Sequence, residues 1–552
     1  MNVLAQSRIR ALSDFVTVLD HQSVLGIVNI LDECSTLLAA DQSNRQIFGQ
    51  ADDSSIWPTL RYLWVQTVDA YEGVGPVDEQ QSALLCLSVA RFTRNLSAGV
   101  PSNQERAFDN EPAIRKLVHR YTSFSVMQDP KSFEITRMLV QTLSNIVTTN
   151  EALSQRLWSI YTQLPQKDSI LIRLCASPDA KTVSTTFVLI LNLIHNSQER
   201  AEMLITSATG PRICISLLDC ILSLFDAEES THHSQAFDVG YQILVRLFKA
   251  GLVKKLYMRI AVVGEVISPH QTTLLKLLDS YLQSLPYREV VGENDELLQM
   301  LTSTFFSLSR HMKIAIKSTL GTAAASERVN LGLSEASISL PLSETPMEPP
   351  GYRNPQEIDL LLPKVCEALV LVVQCLTSIL LAAELDAPAA DAPSTRANRA
   401  SDLRSPRRYI SEVHTADGQD FAEDLVETLR LLDIFIPRIM LGKVAHRPAP
   451  PGSEALQQES PPLGLVYIKR DLVRLLGILC AHNHPVQDRV RLCGGIPVIM
   501  NMCVIDDQNP YLREHAILAL NNLLQDNAEN QAVVNEMKPV GRWDAMGNRV
   551  GT

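Results

Sequence analysis

Two stretches near the end of the chain repeat each other: LVRLLGILCAHNHPVQDRV, from Leu472 to Val490, and HAILALNNLLQDNAENQAVV, from His515 to Val534. A shift of 44 positions brings similar residues into register at helical spacing. The aligned pairs are Ile468 with Leu512, Leu472 with Ala516, Leu475 with Ala519, Leu479 with Leu523, Asn483 with Asn527, Gln487 with Gln531, and Val490 with Val534. Periods of this length are typical of solenoid repeats of two or three helices. Because one such repeat cannot bury its apolar face alone, neighbouring repeats must stack.

A solenoid also fits the length and composition of the chain. Its 552 residues exceed what one compact core holds, whereas a solenoid grows by adding repeats. The sequence is 46% hydrophobic but only 5% aromatic, which favours leucine-rich helices over β-sandwiches. We therefore predict an all-α solenoid of helical repeats with disordered insertions.

The net charge of the chain and its cysteines indicate which class of partner it binds and in which cellular compartment it lies. A formal net charge of −12 argues against a nucleic-acid surface, which needs clustered Lys and Arg. The 10 cysteines include no C-x-x-C pair and have mostly apolar neighbours, as expected for buried thiols in a reducing compartment. The start of the chain, MNVLAQSRIRALSDF, lacks the apolar run of a secretory signal. We therefore expect a cytoplasmic protein that binds other proteins and no nucleic acid.

A leucine-rich helix that ends in Asn followed by Leu or Ile recurs along the chain. The motif occurs at Asn95-Leu96, Asn145-Ile146, Asn192-Leu193 and Asn522-Leu523. The first and last copies are both followed by Asn-Gln, at Asn103-Gln104 and Asn530-Gln531. This shared pattern indicates that residues 1–320 and residues 464–538 are built from the same kind of repeat, with two repeats in the second segment.

The composition changes between these two regions. We predict disordered linkers at 321–357 and 385–420, the second being basic and rich in Pro and Ser, a Pro-rich loop at 444–463, solenoid helices at 358–384 and 421–443, and a flexible tail at 539–552. The run from Ala368 to Ala383 carries no charge but is shorter than the roughly 20 residues of a membrane span. We therefore expect a buried helix and no stable membrane insertion.

Turn residues predict where the last helices begin. Gly495-Ile496-Pro497 is typical of a tight turn into a helix, with proline in the first turn. Asn509-Pro510 predicts a second start, in which Asn caps the helix and Pro takes its first position. The acidic pair Asp506-Asp507 would then lie by the positive end of that helix.

The run GGIPVIMNMCVIDDQNPYLREHAILALNNLLQDNAENQ, from Gly494 to Gln531, resembles the C-terminal signature of the ataxin-10 family. The residues that carry the resemblance are Gly495, Ile496, Pro497, Asp506, Asp507, Asn509, Pro510, Arg513, Glu514, Asn522, Leu523, Asn530 and Gln531. His515 stands where the family pattern has Trp, and Asn521 where it has Arg. Neither change disturbs the apolar spacing of the helix.

The resemblance implies an armadillo-like α-solenoid without enzymatic activity. Members of this family in fungi are associated with cytokinesis and septation, and some carry a copper-transport label. Animal members are associated with neuronal survival and partner binding. The long insertions and the acidic character of this chain are similar to a fungal member. We therefore expect a non-catalytic scaffold in cell division that is recruited from the cytoplasm to the division site. Copper homeostasis is the alternative function. The sequence does not indicate an oligomeric state.

The recurring asparagines are the candidates for partner binding. In armadillo arrays that bind extended peptides, Asn on the last helix of each repeat holds the backbone of the ligand. Those arrays also carry Trp four residues earlier, where this chain has Arg91, Gln141, Val188 and Leu518. Two interpretations stay open for Asn95, Asn145, Asn192 and Asn522: contact with a partner, or hydrogen bonds between adjacent repeats.

Metal and catalytic sites are not expected. Cys480, Cys493 and Cys503, with Met500, Met502 and the histidines His482 and His484, could suit copper(I). However, Cys480 aligns with Leu524 in the repeat, which places it in the core, and paired zinc-type spacing is absent. No G-x-S-x-G, P-loop, dinucleotide-binding or H-E-x-x-H motif occurs. We therefore predict no enzyme, cofactor or metal.

The linker contains a candidate for phosphorylation. Ser405 is followed by Pro406, Arg407 and Arg408, a pattern preferred by proline-directed kinases of the cell cycle. Ser460 and Thr345 also precede proline. A phosphate would add nearly two negative charges to this basic segment and could change which partner docks, whereas the alternative is a solvated linker without a regulatory role.

Overall fold

A computed structural model describes residues 7–8, 10–12, 23–50, 56–73, 79–284, 295–330, 361–385, 405–415, 417–436, 438–440, 443–444, 467–537, 542–543 and 549–550. Within these ranges the regular structure is helical apart from two pairs of two-residue strands and one isolated bridge. The chain forms two compact units, Met1–Ile260 and Ala261–Thr552. This division falls before the boundary at residue 320 that the sequence predicts for the N-terminal repeats.

The first unit is a stack of three-helix repeats. Its helices are α1 (Ser23–Ala40), α2 (Gln42–Gly49), α3 (Ile56–Tyr71), α4 (Glu79–Ser97), α5 (Pro101–Phe108), α6 (Glu111–Tyr121), α7 (Pro130–Val147), α8 (Glu151–Gln163), α9 (Ile170–Cys175), α10 (Ala180–Ile194), α11 (Gln198–Thr206), α12 (Gly210–Leu224), α13 (His232–Lys249) and α14 (Val253–Arg259), with a 3₁₀ turn at Gln166–Asp168. The long helices α1, α4, α7, α10 and α13 pack in that order into one column. Helices α3, α6, α9 and α12 form a second column, and a short helix follows each long one.

The turn after a long helix has the same backbone in several repeats. The second residue beyond the helix has a positive φ: Gly99 (69°), Thr149 (59°), Asn196 (50°), His482 (51°) and Asp526 (55°). The following residue is the N-cap of the short helix, as where Asn150 accepts a hydrogen bond from the Leu153 amide (3.2 Å). A left-handed residue ends a helix because it turns the chain out of the helical path. Capping then satisfies an amide that the next helix leaves free.

Two buried tryptophans join neighbouring helices in the first unit: Trp64 links the two columns, and Trp158 links the short helices α8 and α11. Trp64 is fully buried, and its Nε1 donates to Thr93 Oγ1 (3.2 Å). Trp158 is also fully buried and donates to the Arg200 carbonyl (2.8 Å). Each indole thus buries its large apolar surface and keeps its one polar group hydrogen-bonded.

The second unit has the same layered plan. Its elements are α15 (Pro269–Ser284), α16 (Asp295–Asn330), α17 (Leu362–Leu385), α18 (Pro406–Glu412), α19 (Phe421–Phe435), β1 (Ile439–Met440), β2 (Lys443–Val444), α20 (Ile468–Cys480), α21 (His484–Leu492), α22 (Gly495–Met502), α23 (Leu512–Leu524), α24 (Ala528–Glu536), β3 (Arg542–Trp543) and β4 (Arg549–Val550). Helices α15, α17, α20 and α23 pack in order, as do α16, α19 and α22. Successive stacking within each unit confirms the prediction of an all-α solenoid.

Part of the predicted linker at 385–420 is folded. Residues 406–412 form α18, and His414 pairs with Asp420 in an isolated antiparallel bridge. Ile410 of α18 is fully buried, and Arg407 Nη1 donates to the Ala481 carbonyl (2.9 Å). The prediction from composition was therefore wrong for 405–420, because a few apolar and hydrogen-bonding contacts anchor this basic segment. Residues 386–404 lie outside the described part of the chain.

Three other predicted boundaries differ from the structure. Helix α16 continues to Asn330, beyond the linker start expected at 321. Helix α19 ends at Phe435, well before 443, since Ile436 precedes a proline in the sequence and such residues disfavour helical backbone. Strands β3 and β4 pair within the tail expected to be flexible. The remaining parts of the predicted linkers, 331–357 and 445–463, lie outside the described residues, as does most of the tail.

Helix α17 contains the apolar run that could be mistaken for a membrane span. Among the described residues, two helices are long and apolar enough, by length and composition, to cross a membrane: Ser23–Ala40 and Leu362–Glu384. A pair of helices with a sharp bend between them, Gln198–Thr206 and Gly210–Leu224, also meets this criterion if the pair is counted as one span. Within the structure, 67% of the apolar window in Leu362–Glu384 is buried. Helix α17 packs on α15, α16 and α20, and Gln374 Nε2 donates to Asp471 Oδ2 (2.9 Å).

Candidate partner-binding site

The recurring asparagines lie on the long helices and reach back to the preceding long helix. Asn95 Nδ2 donates to the Ser35 carbonyl (2.9 Å), and Asn145 Nδ2 to the Arg94 carbonyl (3.0 Å). The other two copies do the same: Asn192 Nδ2 donates to Ser144 Oγ (2.9 Å) and Thr148 Oγ1 (3.1 Å), and Asn522 Nδ2 to the Gly477 carbonyl (2.9 Å).

Helix ends explain why asparagine recurs at this position. Arg94 and Gly477 are each among the last four residues of their helices, where carbonyls have no backbone amide partner within the helix. Asn145 and Asn522 supply that partner from the next repeat. These contacts are the ones expected if the asparagines join adjacent repeats. Direct contact of the four asparagines with a partner stays a prediction.

A groove of about 470 Å³ opens along the long helices of the first unit. Its lining comes from α1, α2, α4, α7 and α10 and consists of Ala39, Arg45, Arg94, Asn95, Ala98, Gln141, Ser144, Asn145, Ser184, Thr185 and Val188. We call it the long-helix groove. Asn95 and Asn145 therefore take part in the groove wall while their amide nitrogens hold the repeats together.

Two of the positions that carry Trp in peptide-binding arrays also face this groove. Gln141 and Val188 line it, and Val188 is 40% exposed. Arg91, at the equivalent position on α4, does not line it but pairs with Asp32 (2.9 Å). Leu518, at the equivalent position on α23, is 61% exposed. The spacing rule thus places two of the four residues in the groove of the first unit.

Sequence reasoning missed the two arginines of the long-helix groove. Arg94 directly precedes Asn95 on α4, and Arg45 comes from the short helix α2. Arg94 could have been found as the charged neighbour of a recurring asparagine. Arg45 has no such signal, because its place in the groove depends on how α2 packs against α1 and α4.

The Asn-Gln pairs form a second set of bonds between helices. Asn530 is fully buried and donates to the carbonyls of Leu523 (2.8 Å) and Gln487 (3.3 Å). Asn103 makes the equivalent bond to the Leu96 carbonyl (2.9 Å). The glutamines of the two pairs also bond to the ends of long helices: Gln104 donates to the Asn145 carbonyl (2.9 Å) and Gln531 to the Leu524 carbonyl (2.8 Å). These side chains fix the short helices to the ends of the long ones, and they account for the repeated pattern.

The Gly-Ile-Pro turn allows α22 to approach its neighbours closely. Gly494 has φ of 72°, and Gly495 begins the helix. A Cβ atom on Gly495 would lie 2.6 Å from Val490 Cγ1 and 3.0 Å from Val426 Cγ2, which leaves room for no side chain. Ile496 is fully buried directly after this contact. Gly494 is therefore required by its left-handed backbone, and Gly495 by packing.

The acidic pair and the Asn-Pro that follow do not start the next helix as predicted. Helix α23 begins at Leu512, with Tyr511 as its N-cap in the left-handed region (φ 65°). Asp506 instead accepts hydrogen bonds from Asn509 Nδ2 (2.6 Å) and from the Ile439 amide (3.3 Å). The Asp507 amide donates to the Ile439 carbonyl (2.8 Å). The prediction of a cap at Asn509 was wrong because the pair anchors this loop to β1.

Residues 468–546 match the family model of the Spinocerebellar ataxia type 10 protein domain. Ataxin-10 of Bos taurus is 42% identical over 77 residues, which is 14% of this chain and 16% of the bovine chain. The C-terminal region is thus similar to the ataxin-10 family, and we call residues 468–546 the ataxin-10 region. A fungal relative, the ataxin-10 homolog of Schizosaccharomyces pombe, is 27% identical over 129 residues, or 23% of this chain and 28% of the relative. The chain thus matches less than a third of the length of either relative.

The solved structures similar to this chain include a crystal structure of SYS-1. The similarity covers 94% of this chain and 84% of that chain, at 13% sequence identity and a TM-score of 0.32.

The ataxin-10 region contains a buried lysine that sequence reasoning missed. The Lys469 side chain is fully buried, and its Nζ donates to the Ile436 carbonyl (2.9 Å) and to Asp433 Oδ1 (3.2 Å). Burial lowers the pKa of this ammonium, while the charge of Asp433 opposes the shift. A lysine in a helix predicts an exposed side chain, so no pattern in the sequence indicates this contact with α19.

The cysteines of the ataxin-10 region are spread over core and half-buried positions. Cys480 is fully buried, in agreement with its place in the repeat, and burial raises the pKa of its thiol. Cys493 and Cys503 are half-buried, and burial also raises the pKa of both thiols. Within the described residues, no three His, Cys, Asp or Glu side chains are grouped so as to hold a metal ion.

Ser405 lies where α18 begins. It is half-buried as the N-cap residue and lines a cavity of about 520 Å³ together with Arg407, Arg408 and Arg489. The arginines already have carboxylate partners, since Arg408 pairs with Glu412 (2.8 Å) and Arg489 with Asp420. Phosphorylation of Ser405 stays a prediction. Ser460 and Thr345 lie outside the described residues.

Proposed function

We propose that this protein is a non-catalytic interaction scaffold that acts in cytokinesis and septation. The observation that carries the proposal is the long-helix groove of the first unit, which is open, polar and formed by helices of successive repeats. Repeat arrays of this kind use such extended surfaces to bind protein segments. The ataxin-10 region supports a role in cell division, because fungal proteins with this resemblance are associated with septation.

The geometry of the long-helix groove is better suited to binding a protein segment than to catalysing a reaction. Long helices set the groove walls, and inter-repeat hydrogen bonds from Asn95 and Asn145 keep the spacing of those walls fixed. A rigid, preformed groove loses little entropy when an extended segment binds. Copper homeostasis stays the alternative prediction; among the described residues, no group of three or more His, Cys, Asp or Glu side chains favours it.

Proximity labelling in dividing fungal cells tests the proposal. The full chain, fused to a biotin ligase, is expressed in synchronised cultures, and labelled proteins are quantified in interphase and during septation. We expect the protein to move from the cytoplasm to the division site, and the labelled set to become enriched in proteins of that site during septation. A labelled set that does not change between the two stages would contradict a role in cytokinesis.

A further inference from the structure

The long-helix groove holds two arginines and no carboxylate. Arg94 Nε donates to Asn95 Oδ1 (3.0 Å), and Arg94 Nη1 donates to Gln141 Oε1 (2.6 Å). Arg45 Nε donates to the Leu38 carbonyl (2.8 Å), and its Nη1 donates to the Ala98 carbonyl (2.8 Å). All these acceptors are neutral. Among the described residues, neither arginine forms a salt bridge.

Several other arginines of the first unit do have a carboxylate partner. Arg91 pairs with Asp32 (2.9 Å), Arg115 with Glu111 (2.8 Å), and Arg200 with Glu151. The chain as a whole carries a net charge of −12, so acidic residues are plentiful. The groove nevertheless has none in its lining.

The environment of Arg94 makes its charge costly. Partial burial lowers the pKa of the guanidinium, and the nearby charge of Arg91 lowers it further. An arginine remains protonated at neutral pH all the same. A positive charge that is partly removed from water and bonded only to neutral oxygens is stabilised when an anion binds to it.

Other atoms of the groove could bind the backbone around such an anion. Asn145 and Gln141 line the groove, and neither Asn145 Oδ1 nor Gln141 Nε2 has a hydrogen-bond partner among the described residues. One is an acceptor and the other a donor, so together they match the amide and carbonyl of an extended peptide. The exposed Val188 offers an apolar contact beside them.

We propose that the long-helix groove binds an extended acidic segment of a partner protein, with a Glu or Asp carboxylate of that segment seated on Arg94. This proposal rests on the scaffold function and names the chemical class of the partner. Arg45 adds a second positive charge to the groove. The planar guanidinium of Arg94 can present two parallel N–H groups to a carboxylate, which is a stronger contact than its present bonds to neutral amides.

Fluorescence anisotropy with the full chain tests the proposal. The probe is a fluorescein-labelled peptide of ten residues that alternates Glu and Ser, and the reference probe has Gln in place of each Glu. We expect the Glu peptide to bind at least about tenfold more tightly than the Gln peptide, because a charge-assisted contact is replaced by a neutral one. Binding of the Glu peptide should weaken as salt is added.

Two variants locate the site. Arg94→Gln should weaken binding of the Glu peptide about tenfold, whereas Arg212→Gln, an exposed arginine of α12 that does not line the groove, should leave it unchanged. Gln141→Glu keeps Arg94 but places a carboxylate beside it, and it should weaken binding as well. Circular dichroism melts of each variant check that the helices are intact.

Equal binding of the two peptides, or Arg94→Gln and Gln141→Glu variants that bind like the wild type, would overturn the proposal. These outcomes leave the scaffold function open to its own test. If proximity labelling still recovers division-site proteins, only the assignment of an acidic partner is wrong. If neither experiment gives a positive result, both proposals are wrong.

Discussion

Replacing Asp424 with alanine is expected to destabilise the second unit by about 3–5 kcal/mol, because it leaves a buried cation without its partner. Asp424 lies on α19, and only 3% of its side chain is exposed. It pairs with Lys313 of α16, whose side chain is 12% exposed, and it accepts a hydrogen bond from Ser309 Oγ (2.5 Å). The variant removes both of these contacts between α16 and α19 at once.

Asp417→Ala is the matched control for this prediction. Asp417 pairs with Arg310 (2.8 Å), which lies on α16 like Lys313, but the side chains of Asp417 and Arg310 are 71% and 63% exposed. Exposed ion pairs contribute little, so the change should stay within about 0.5 kcal/mol. Hydrogen exchange followed by mass spectrometry in the full chain measures the protection of α16 and α19 in each variant. Equal loss of protection in the two variants would refute the role assigned to the buried pair.

Asn522→Ala is expected to cost about 2 kcal/mol, since it leaves a helix-end carbonyl without a partner. The amide of Ala481, which follows α20, bonds the Ile478 carbonyl and not that of Gly477. Asn522 Nδ2 fills the vacant place at 2.9 Å. The two helices can approach closely enough for this bond because residue 477 is a glycine. A Cβ atom at that position would lie only 3.1 Å from Ala519 Cα.

The neighbouring Asn521 provides the control for Asn522. It is exposed, and its side chain makes no hydrogen bond among the described residues. Asn521→Ala removes the same amide from the same helix, so helix propensity changes equally in both variants. Urea denaturation of the full chain, followed by hydrogen exchange in α20 and α23, compares them. If both variants lose the same stability, the bond to Gly477 is not what holds the repeats together.

The repeat architecture could be predicted from the sequence because it is periodic. The register that aligns Leu472 with Ala516 also places Cys480 in the core, and the structure has Cys480 fully buried. The asparagines were recognisable for the same reason. Two interpretations of Asn145 stayed open, however, because the periodic pattern gives its position on the helix but not the carbonyl of Arg94 that it meets.

Features that depend on contacts between distant segments could not be predicted. Arg45 reaches the long-helix groove from a short helix, and Lys469 is buried against α19. Asp506 resembled a helix-start signal but bonds the Ile439 amide, which is far away in the sequence. The amino-acid composition of this basic segment did not predict helix α18. Buried residues that hold the helix in place, such as Ile410, are too few to change the average composition.

A photo-crosslinking amino acid placed at Val188 in dividing cells tests most directly whether the long-helix groove is the partner-binding surface. Val188 lines the groove and is 40% exposed, while Leu222 on α12 is 49% exposed outside it and serves as the control position. We predict covalent adducts with other proteins at Val188, their loss when Arg94→Glu is added, and their absence at Leu222. Failure to obtain adducts at Val188, or adducts that persist undiminished with Arg94→Glu, would contradict the account.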